Sequence, residues 1–222
     1  MAAPLLSDPV RIVRDEAVNV LAPIPAERLN AKQRAAFERA SAEYVETQRY
    51  NADRAGARVN LGTFYANQGN VRGAEEEFRA AMALEPDYVP AYVNLADLYR
   101  ATGHDADGEK TLREGIKRIP QNAALHHALG LALVRLHRSE DALAELQRAV
   151  TLDPGNARFA YVYAVGLHSM GNTQAAITTL EKSLAKHPDD PETLQALATF
   201  HAEQGDADAA QSYIKRMQKR AE

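Results

Sequence analysis

The chain has 222 residues, 45% of them hydrophobic, which is enough apolar material for one sizeable globular unit or one repeat protein. Its 26 basic and 30 acidic residues give a formal net charge of -4, a balance that argues against nucleic acid or an anionic membrane as partner. The absence of cysteine excludes disulfides, thiolate zinc sites and covalently attached c-type haem within these residues.

The first 24 residues contain one candidate helix. Asp8 suits a helix N-cap and Pro9 suits the first helical position. Apolar residues follow at helical spacing: Val10, Val13, Ala17, Val20 and Leu21. The Asp-Pro-x-Val-Arg opening resembles the second helix of a HEAT repeat. Two interpretations remain open: a capping helix for the residues that follow, or a HEAT-like helix that belongs to repeats upstream in a longer protein.

Residues 25–54 are predicted to form a linker and a degenerate half repeat. Pro23 and Pro25 make the connection stiff. A long helix is expected over 29–50, and its apolar residues are Leu29, Ala36, Phe37, Ala40, Tyr44 and Val45. No stretch of the chain reaches the run of about 18 apolar residues that a membrane span needs.

Two residue types then recur with one period. Prolines stand at Pro86, Pro120, Pro154 and Pro188, each 34 residues after the last by subtraction. Glycines stand in phase with them at Gly69, Gly103, Gly171 and Gly205, with His137 at the position between the second and the third. Two ladders in phase at this period are typical of stacked helical hairpins of the tetratricopeptide class.

Small and large residues also alternate in phase between the ladders. We number slots from residue 55, and two helices are expected near 56–68 and 72–84 and at every 34 residues onward. The first repeat carries Leu61, Gly62, Tyr65, Ala74, Phe78, Ala81 and Pro86, and the fourth carries Tyr163, Ala164, Leu167, Ala176, Leu180, Ser183 and Pro188. Glycine or alanine at slots 8 and 20 would let the two helices of a hairpin approach closely, and glycine at slot 15 suits a left-handed turn.

On these slots, roughly the last three quarters of the chain resembles the tetratricopeptide-repeat family. The resemblance implies an all-α fold, a right-handed superhelix (an α-solenoid) of about five helix-hairpin repeats with N-terminal capping helices. The repeats are predicted at 55–88, 89–122, 123–156, 157–190 and 191–222. The last helix, roughly 208–220, carries Lys215, Arg216, Lys219 and Arg220, and such a polar helix suits the end of a repeat array.

The resemblance also implies a binding groove, because in this family the first helices line a concave face through slots 2, 5, 9 and 12. Carried over, with neighbouring Asn94 and Arg135 added, the candidate groove residues are Val59, Thr63, Val93, Asn94, Asp97, Arg100, His127, Leu131, Arg135, Arg158, Tyr161, Val165, His168 and Gln195. Asp97 and Arg100 are expected to pair with each other. Such a groove would hold an extended or helical peptide, with arginines for acidic groups and Tyr161 as aromatic anchor.

One specialised use of the groove is not expected. Some family members capture the C-terminal carboxylate of a chaperone with Lys, Asn, Asn, Lys and Arg. The corresponding slots here hold Val59, Thr63, Asn94, Ala124 and Ala128, of which only Asn94 fits.

The sequence shows no catalytic or metal-binding motif. G-x-S-x-G, P-loop, G-x-G-x-x-G and H-E-x-x-H patterns do not occur. His126 and His127 are adjacent and would point about 100° apart on a helix, so we expect ordinary helix-surface histidines rather than a metal site. We therefore expect no enzymatic activity, no cofactor and no bound metal.

Three functional hypotheses follow. The first is a non-enzymatic scaffold that binds a protein or peptide in the groove. The second is an accessory module at the C-terminus of a larger bacterial enzyme or multi-haem electron-transfer protein, since the order of elements resembles the tail of certain multi-haem cytochromes. The third is self-association through an unpaired end, giving a homodimer. The compartment would be the cytoplasm by default and the periplasm for a fragment of a cytochrome-type parent.

Overall fold

The computed structural model describes residues 2–218, which form twelve α-helices and no β-strand. The helices are α1 (Arg11–Leu21), α2 (Ala31–Tyr50), α3 (Ala55–Asn67), α4 (Val71–Leu84), α5 (Val89–Ala101), α6 (Asp105–Arg118), α7 (Ala123–Arg135), α8 (Ser139–Leu152), α9 (Ala157–Ser169), α10 (Thr173–Leu184), α11 (Pro191–Glu203) and α12 (Ala207–Gln218). The all-α prediction is confirmed. The chain divides into two compact units, residues 1–111 and 112–222.

The helices follow the predicted period. The first helix of each hairpin begins 34 residues after the previous one, at residues 55, 89, 123, 157 and 191. The turns of four hairpins contain a glycine with φ between 73° and 82°, namely Gly69, Gly103, Gly171 and Gly205. His137 makes the fifth turn with φ 59°, as its place in the ladder predicts. L-residues rarely adopt this left-handed conformation, which explains why glycine fills the other four positions.

Side chains cap several of these helices. The Oδ1 atoms of Asn70, Asn122 and Asn156 accept backbone N–H groups in the first turns of α4, α7 and α9 at 3.0 to 3.2 Å. The Asp190 carboxylate does the same for α11, accepting from Thr193 N at 2.8 Å. Each cap satisfies a backbone donor that has no partner inside the helix.

Unit 1 starts with a capping helix. Val18 and Leu21 of α1 are 0% and 1% exposed and share one apolar cluster with Ala40 and Tyr44 of α2 and Phe64 of α3. This burial gives α1 and α2 a common core with the first complete hairpin. The predicted N-terminal capping helices are therefore present.

The start and the buried face of α1 differ from the prediction. The helix begins at Arg11, and the Asp8 carboxylate accepts instead from the Val10 N–H at 2.8 Å, in the turn before the helix. Val10 and Val20, expected in the buried stripe, are 52% and 53% exposed, whereas Val18 is buried. Helical spacing allows either stripe, and the contact with α2 selects the one that contains Val18.

The second helix starts two residues later than predicted. Asn30 and Gln33 form a capping box, in which each side-chain oxygen accepts the backbone N–H of the other residue at 2.9 Å. Leu29 is buried just before the helix, at 5% exposure. Leu29 thus belongs to the core but not to α2.

In unit 2, α9, α10 and α11 share one apolar cluster. Its members include Ala164 and Leu167 of α9, Leu180 of α10, and Leu197 and Phe200 of α11. The predicted basic residues Lys219 and Arg220 lie outside the described residues. No helix within residues 2–218 has the length and apolarity to cross a membrane.

Each hairpin is closed by a small residue set against a large one, as the slots predict. A Cβ atom on Gly62 of α3 would lie 2.6 Å from a ring carbon of Phe78 of α4, which is 1% exposed. In the hairpin of α9 and α10 the same slots hold Ala164 and Leu180, both fully buried. Glycine therefore accompanies the larger phenylalanine ring, and alanine accompanies leucine.

Replacing Gly62 by alanine is expected to lower the free energy of unfolding by about 1–2 kcal/mol. Alanine favours the helix by about 1 kcal/mol, but its methyl group would press on the buried Phe78 ring, and overpacking costs about 1–3 kcal/mol. Urea denaturation followed by circular dichroism measures the change. Gly56→Ala is the control, because its Cβ would meet only the Tyr88 hydroxyl at 3.4 Å. A Gly62→Ala variant as stable as the Gly56→Ala variant would contradict the close fit.

His137→Gly is expected to raise the free energy of unfolding by about 0.5–1 kcal/mol. Relief of the left-handed backbone, about 1–2 kcal/mol, outweighs the entropy that glycine adds to the unfolded chain, about 0.4–1 kcal/mol. The reciprocal Gly171→His change should destabilise the protein by a similar amount. Thermal denaturation measures both, and a loss of stability in His137→Gly would show that the imidazole makes a compensating contact.

Candidate functional site

In unit 1, the predicted groove residues lie on α3 and α5 and border a depression. Thr63, Asn94 and Asp97 line this cavity, whose volume is about 460 Å³. We call it the α3–α5 depression. Asn94 Nδ2 donates to Thr63 Oγ1 at 3.2 Å and so ties the two helices together at its edge. The apolar part of its lining comes from Ala66, Val71, Phe78, Leu98 and Ala101.

The other three predicted residues of unit 1 lie differently. Val59 is 6% exposed and packs in the core with Phe78 and Leu95, so it offers almost no surface to a partner. Val93 is half-buried. Arg100 is exposed, and its Nε lies 3.1 Å from Asp97 Oδ1, which confirms the predicted pair. These two charges partly neutralise each other at the edge of the depression.

In unit 2, His127 of α7 packs against an aromatic ring. Its imidazole lies 4.6 Å from the ring centre of Phe159 on α9. The Nδ1 atom is buried without a hydrogen-bond partner among the described residues. Burial, aided by the positive charge of Arg158, lowers the pKa of His127 to about 4. At neutral pH this side chain is therefore an uncharged ring.

Arg158 is engaged on two sides. Its Nη1 lies 3.0 Å from Glu192 Oε2 on α11, and its guanidinium carbon lies 5.6 Å from the ring centre of Tyr161. The cation–π contact and the ion pair hold the side chain across the surface between α9 and α11. Gln195 is exposed on α11 near one end of this arrangement in sequence, three residues after Glu192.

His168 forms the second histidine–aromatic pair of unit 2. Its ring stacks on Phe200 of α11, with centres 4.0 Å apart and planes 21° apart. Its two nitrogens lie 3.0 Å from Thr173 Oγ1 and 3.0 Å from a Glu203 carboxylate oxygen. The imidazole is therefore fixed in orientation rather than free to reach a ligand.

The remaining predicted residues of unit 2 supply surface of mixed character. Leu131 of α7 is half-buried, Val165 of α9 is 39% exposed, and Arg135 is exposed at the end of α7. Together with Tyr161, the leucine and the valine give the unit 2 first helices an apolar strip. Charged groups that pair with neighbouring side chains lie beside it.

Sequence reasoning missed the aromatic partners of the two histidines. Phe159 follows His127 by 32 residues, and Phe200 follows His168 by the same interval. An interval two residues short of the period joins a side chain on one first helix to the next first helix. That repeated interval is the signal by which the sequence shows these stacks.

The expectation for His126 was wrong. It is not a surface residue but is 7% exposed. Its Nδ1 lies 2.6 Å from the Glu145 carboxylate on α8, and its Nε2 lies 3.1 Å from the Pro120 carbonyl oxygen. The side chain thus joins the proline turn to the second helix of its hairpin. Within residues 2–218, no three His, Asp or Glu side chains converge on a possible metal position.

Comparison with known proteins assigns the family. A tetratricopeptide-repeat family model matches residues 90–222, more than half of the chain, and a second tetratricopeptide-repeat model matches residues 55–88. The chain belongs to the tetratricopeptide-repeat family. No curated protein sequence matches it significantly.

Solved structures of tetratricopeptide-repeat proteins share the fold. A crystal structure of MamA is similar with a TM-score of 0.62 and 23% identity, over 72% of this chain and 93% of that one. The crystal structure of YrrB, described as a TPR protein with an unusual peptide-binding site, has a TM-score of 0.57 and 17% identity, over 78% of this chain and 90% of that one. At these identities the likeness establishes the fold alone.

The lowered pKa of His127 predicts a pH-dependent stability. Its pKa is about 4 in the folded chain and near the model value of 6.5 in the unfolded chain, so only the unfolded state gains a proton between these values. The free energy of unfolding therefore falls as pH drops from 6.5 towards 4. We expect this residue to contribute about 1–2 kcal/mol to the loss between pH 7 and pH 4.5.

The variant His127→Phe isolates this contribution, because it keeps an aromatic ring against Phe159 and removes the titrating group. Urea denaturation of both proteins at several pH values gives the difference in their free energies of unfolding. Contributions from all other titrating groups cancel in that difference. A difference that stays constant from pH 7 to pH 4.5 would show that His127 does not resist protonation.

Proposed function

We propose that this chain is a non-enzymatic scaffold that holds a peptide, or an extended segment of a partner protein, on the exposed face of its first helices. The observation that carries the proposal is the α3–α5 depression. Polar groups of Thr63, Asn94 and Asp97 border an apolar lining there, in a cavity of about 460 Å³. Apolar surface that binds side chains, with a few polar groups that orient them, is the usual composition of a ligand site.

The unit 2 first helices extend the same chemistry. Tyr161 supplies an aromatic surface, and Leu131 and Val165 lie on the neighbouring turns. Because Arg158 already pairs with Glu192, this part of the face favours apolar and hydrogen-bonding side chains over a strongly acidic peptide. Exposed ion pairs of this kind contribute about 0–1 kcal/mol, so a ligand carboxylate can compete for Arg158 at modest cost.

The similarity to YrrB supports a peptide as the ligand class. That structure is described as having a peptide-binding site, and it shares the fold of this chain. A rigid helical array needs little rearrangement to present such a face, which keeps the entropic cost of binding low.

The test is the triple variant Arg100→Ala, Arg158→Ala and Tyr161→Ala. It should reduce partner capture at least about tenfold in a pull-down quantified by mass spectrometry, because aromatic and arginine anchors carry most interface energy. The matched control replaces Arg72, Arg148 and Tyr50 by Ala, which removes the same side-chain types from other exposed surfaces. Circular dichroism should show both variants folded. Equal capture by the two variants would reject the first-helix face.

A further inference from the structure

Unit 1 contains a second cavity, at its N-terminal end. We call it the N-terminal cleft. Its volume is about 680 Å³. Apolar side chains that line it are Ile24 and Leu29 of the linker, Phe37 and Val45 of α2, and Phe64 of α3. Of these only Leu29 and Phe64 are buried, so the cleft presents apolar surface to solvent.

The N-terminal cleft occupies the same place in the repeat as the α3–α5 depression. Its lining residues Phe37, Phe64 and Gln68 precede Val71, Leu98 and Thr102 of the depression by 34 residues each. The two cavities are therefore equivalent positions one repeat apart. The N-terminal one is larger by about 220 Å³, from 680 minus 460.

The difference lies in one wall. In the α3–α5 depression that wall is helical and comes from Thr63, Ala66 and Asn67 at the end of α3. In the N-terminal cleft it comes from the linker between α1 and α2, where only Ala26–Arg28 forms a short 3-10 turn. Pro23 and Pro25 prevent an α-helix there. The cleft thus has the walls of a helix-packing site without the helix that forms the corresponding wall one repeat on.

A buried hydroxyl group also lies in the cleft. Ser41 of α2 lines it, and its Oγ is buried without a hydrogen-bond partner among the described residues. A serine inside a helix commonly donates to the carbonyl four residues earlier, and this one does not. A polar atom of a bound segment would satisfy it.

Charges on the rim define the occupant. Glu38 and Glu46 of α2 border the cleft, are exposed, and form no ion pair with other described residues. They are eight residues apart, or about 12 Å along the helix axis. Arg34 and Arg49 stand at the two ends, and Arg49 already donates to the Tyr65 hydroxyl at 3.1 Å. The middle of the rim is therefore acidic.

We infer that the N-terminal cleft binds an amphipathic helix of a partner protein. Apolar side chains of that helix fill the space above Phe37 and Phe64, and two basic residues about eight positions apart face Glu38 and Glu46. This site is separate from the first-helix face and goes beyond the function proposed above. It makes the N-terminal end of unit 1 a second point of attachment.

A synthetic helix tests the inference with the full chain. The probe is a fluorescein-labelled peptide of about 16 residues with leucine on one face and two lysines about eight residues apart. A second peptide carries glutamate in place of both lysines, and a third has the residues of the first in scrambled order. Fluorescence anisotropy should give a dissociation constant at least about tenfold lower for the lysine peptide than for either other peptide.

Two variants locate the binding. Ala42 is exposed on α2 and lines the cleft, whereas Ala35 is exposed on the same helix outside it. Ala42→Arg should weaken binding of the lysine peptide at least about tenfold, and Ala35→Arg should leave it unchanged. Glu38→Gln combined with Glu46→Gln should remove the preference for lysine.

Three outcomes would overturn the inference. They are equal binding by Ala42→Arg and Ala35→Arg, equal affinity for the scrambled peptide, and a wild-type dimer that Ala42→Arg dissociates in light scattering, which would assign the cleft to a second copy of the chain. The triple variant of the first-helix face should bind the peptide like wild type. The two sites can therefore fail independently.

Discussion

The fit of Gly62 against the Phe78 ring is the contact on which the first hairpin depends. It sets how closely α3 and α4 approach, and Ala164 with Leu180 sets the same distance in unit 2. A single helix cannot cover its apolar stripe, so each one is stable only while its neighbours keep this spacing. Side chains outside these contacts remain exposed at a fixed place in every repeat. A face for a partner is therefore a by-product of the way the hairpins close.

The sequence predicts the helices well because two ladders mark both ends of each hairpin. Even His137 is identified, since its position alone requires a left-handed turn. The burial of His126 was not predictable in that way, because its partners Glu145 and Pro120 come from two other segments. The buried face of α1 also escaped prediction. Its valines satisfy two helical stripes, and only the surface of α2 decides between them.

Among the candidate site residues, the sequence identified exposed positions better than it identified their chemistry. Arginines and histidines at the groove slots indicated a basic surface. In the structure Arg100 pairs with Asp97, and Arg158 pairs with Glu192. His127 is neutral because its ring is desolvated against Phe159. Pairing of this kind depends on which residues face each other on adjacent helices, and a list of slots does not contain that information.

The N-terminal cleft shows what happens where the period is broken. Pro23 and Pro25 remove the helix that the register would place before α2, and α1 covers Ala40 and Tyr44 in its stead. That substitution satisfies the core but not Phe37 and Ser41, which lie beside it. Within a repeat array, apolar surface that one repeat buries against the next is exposed wherever a repeat is incomplete. The end of such an array is therefore adhesive unless it is polar, and here it is apolar with an acidic middle, which favours a basic amphipathic partner over a neutral one.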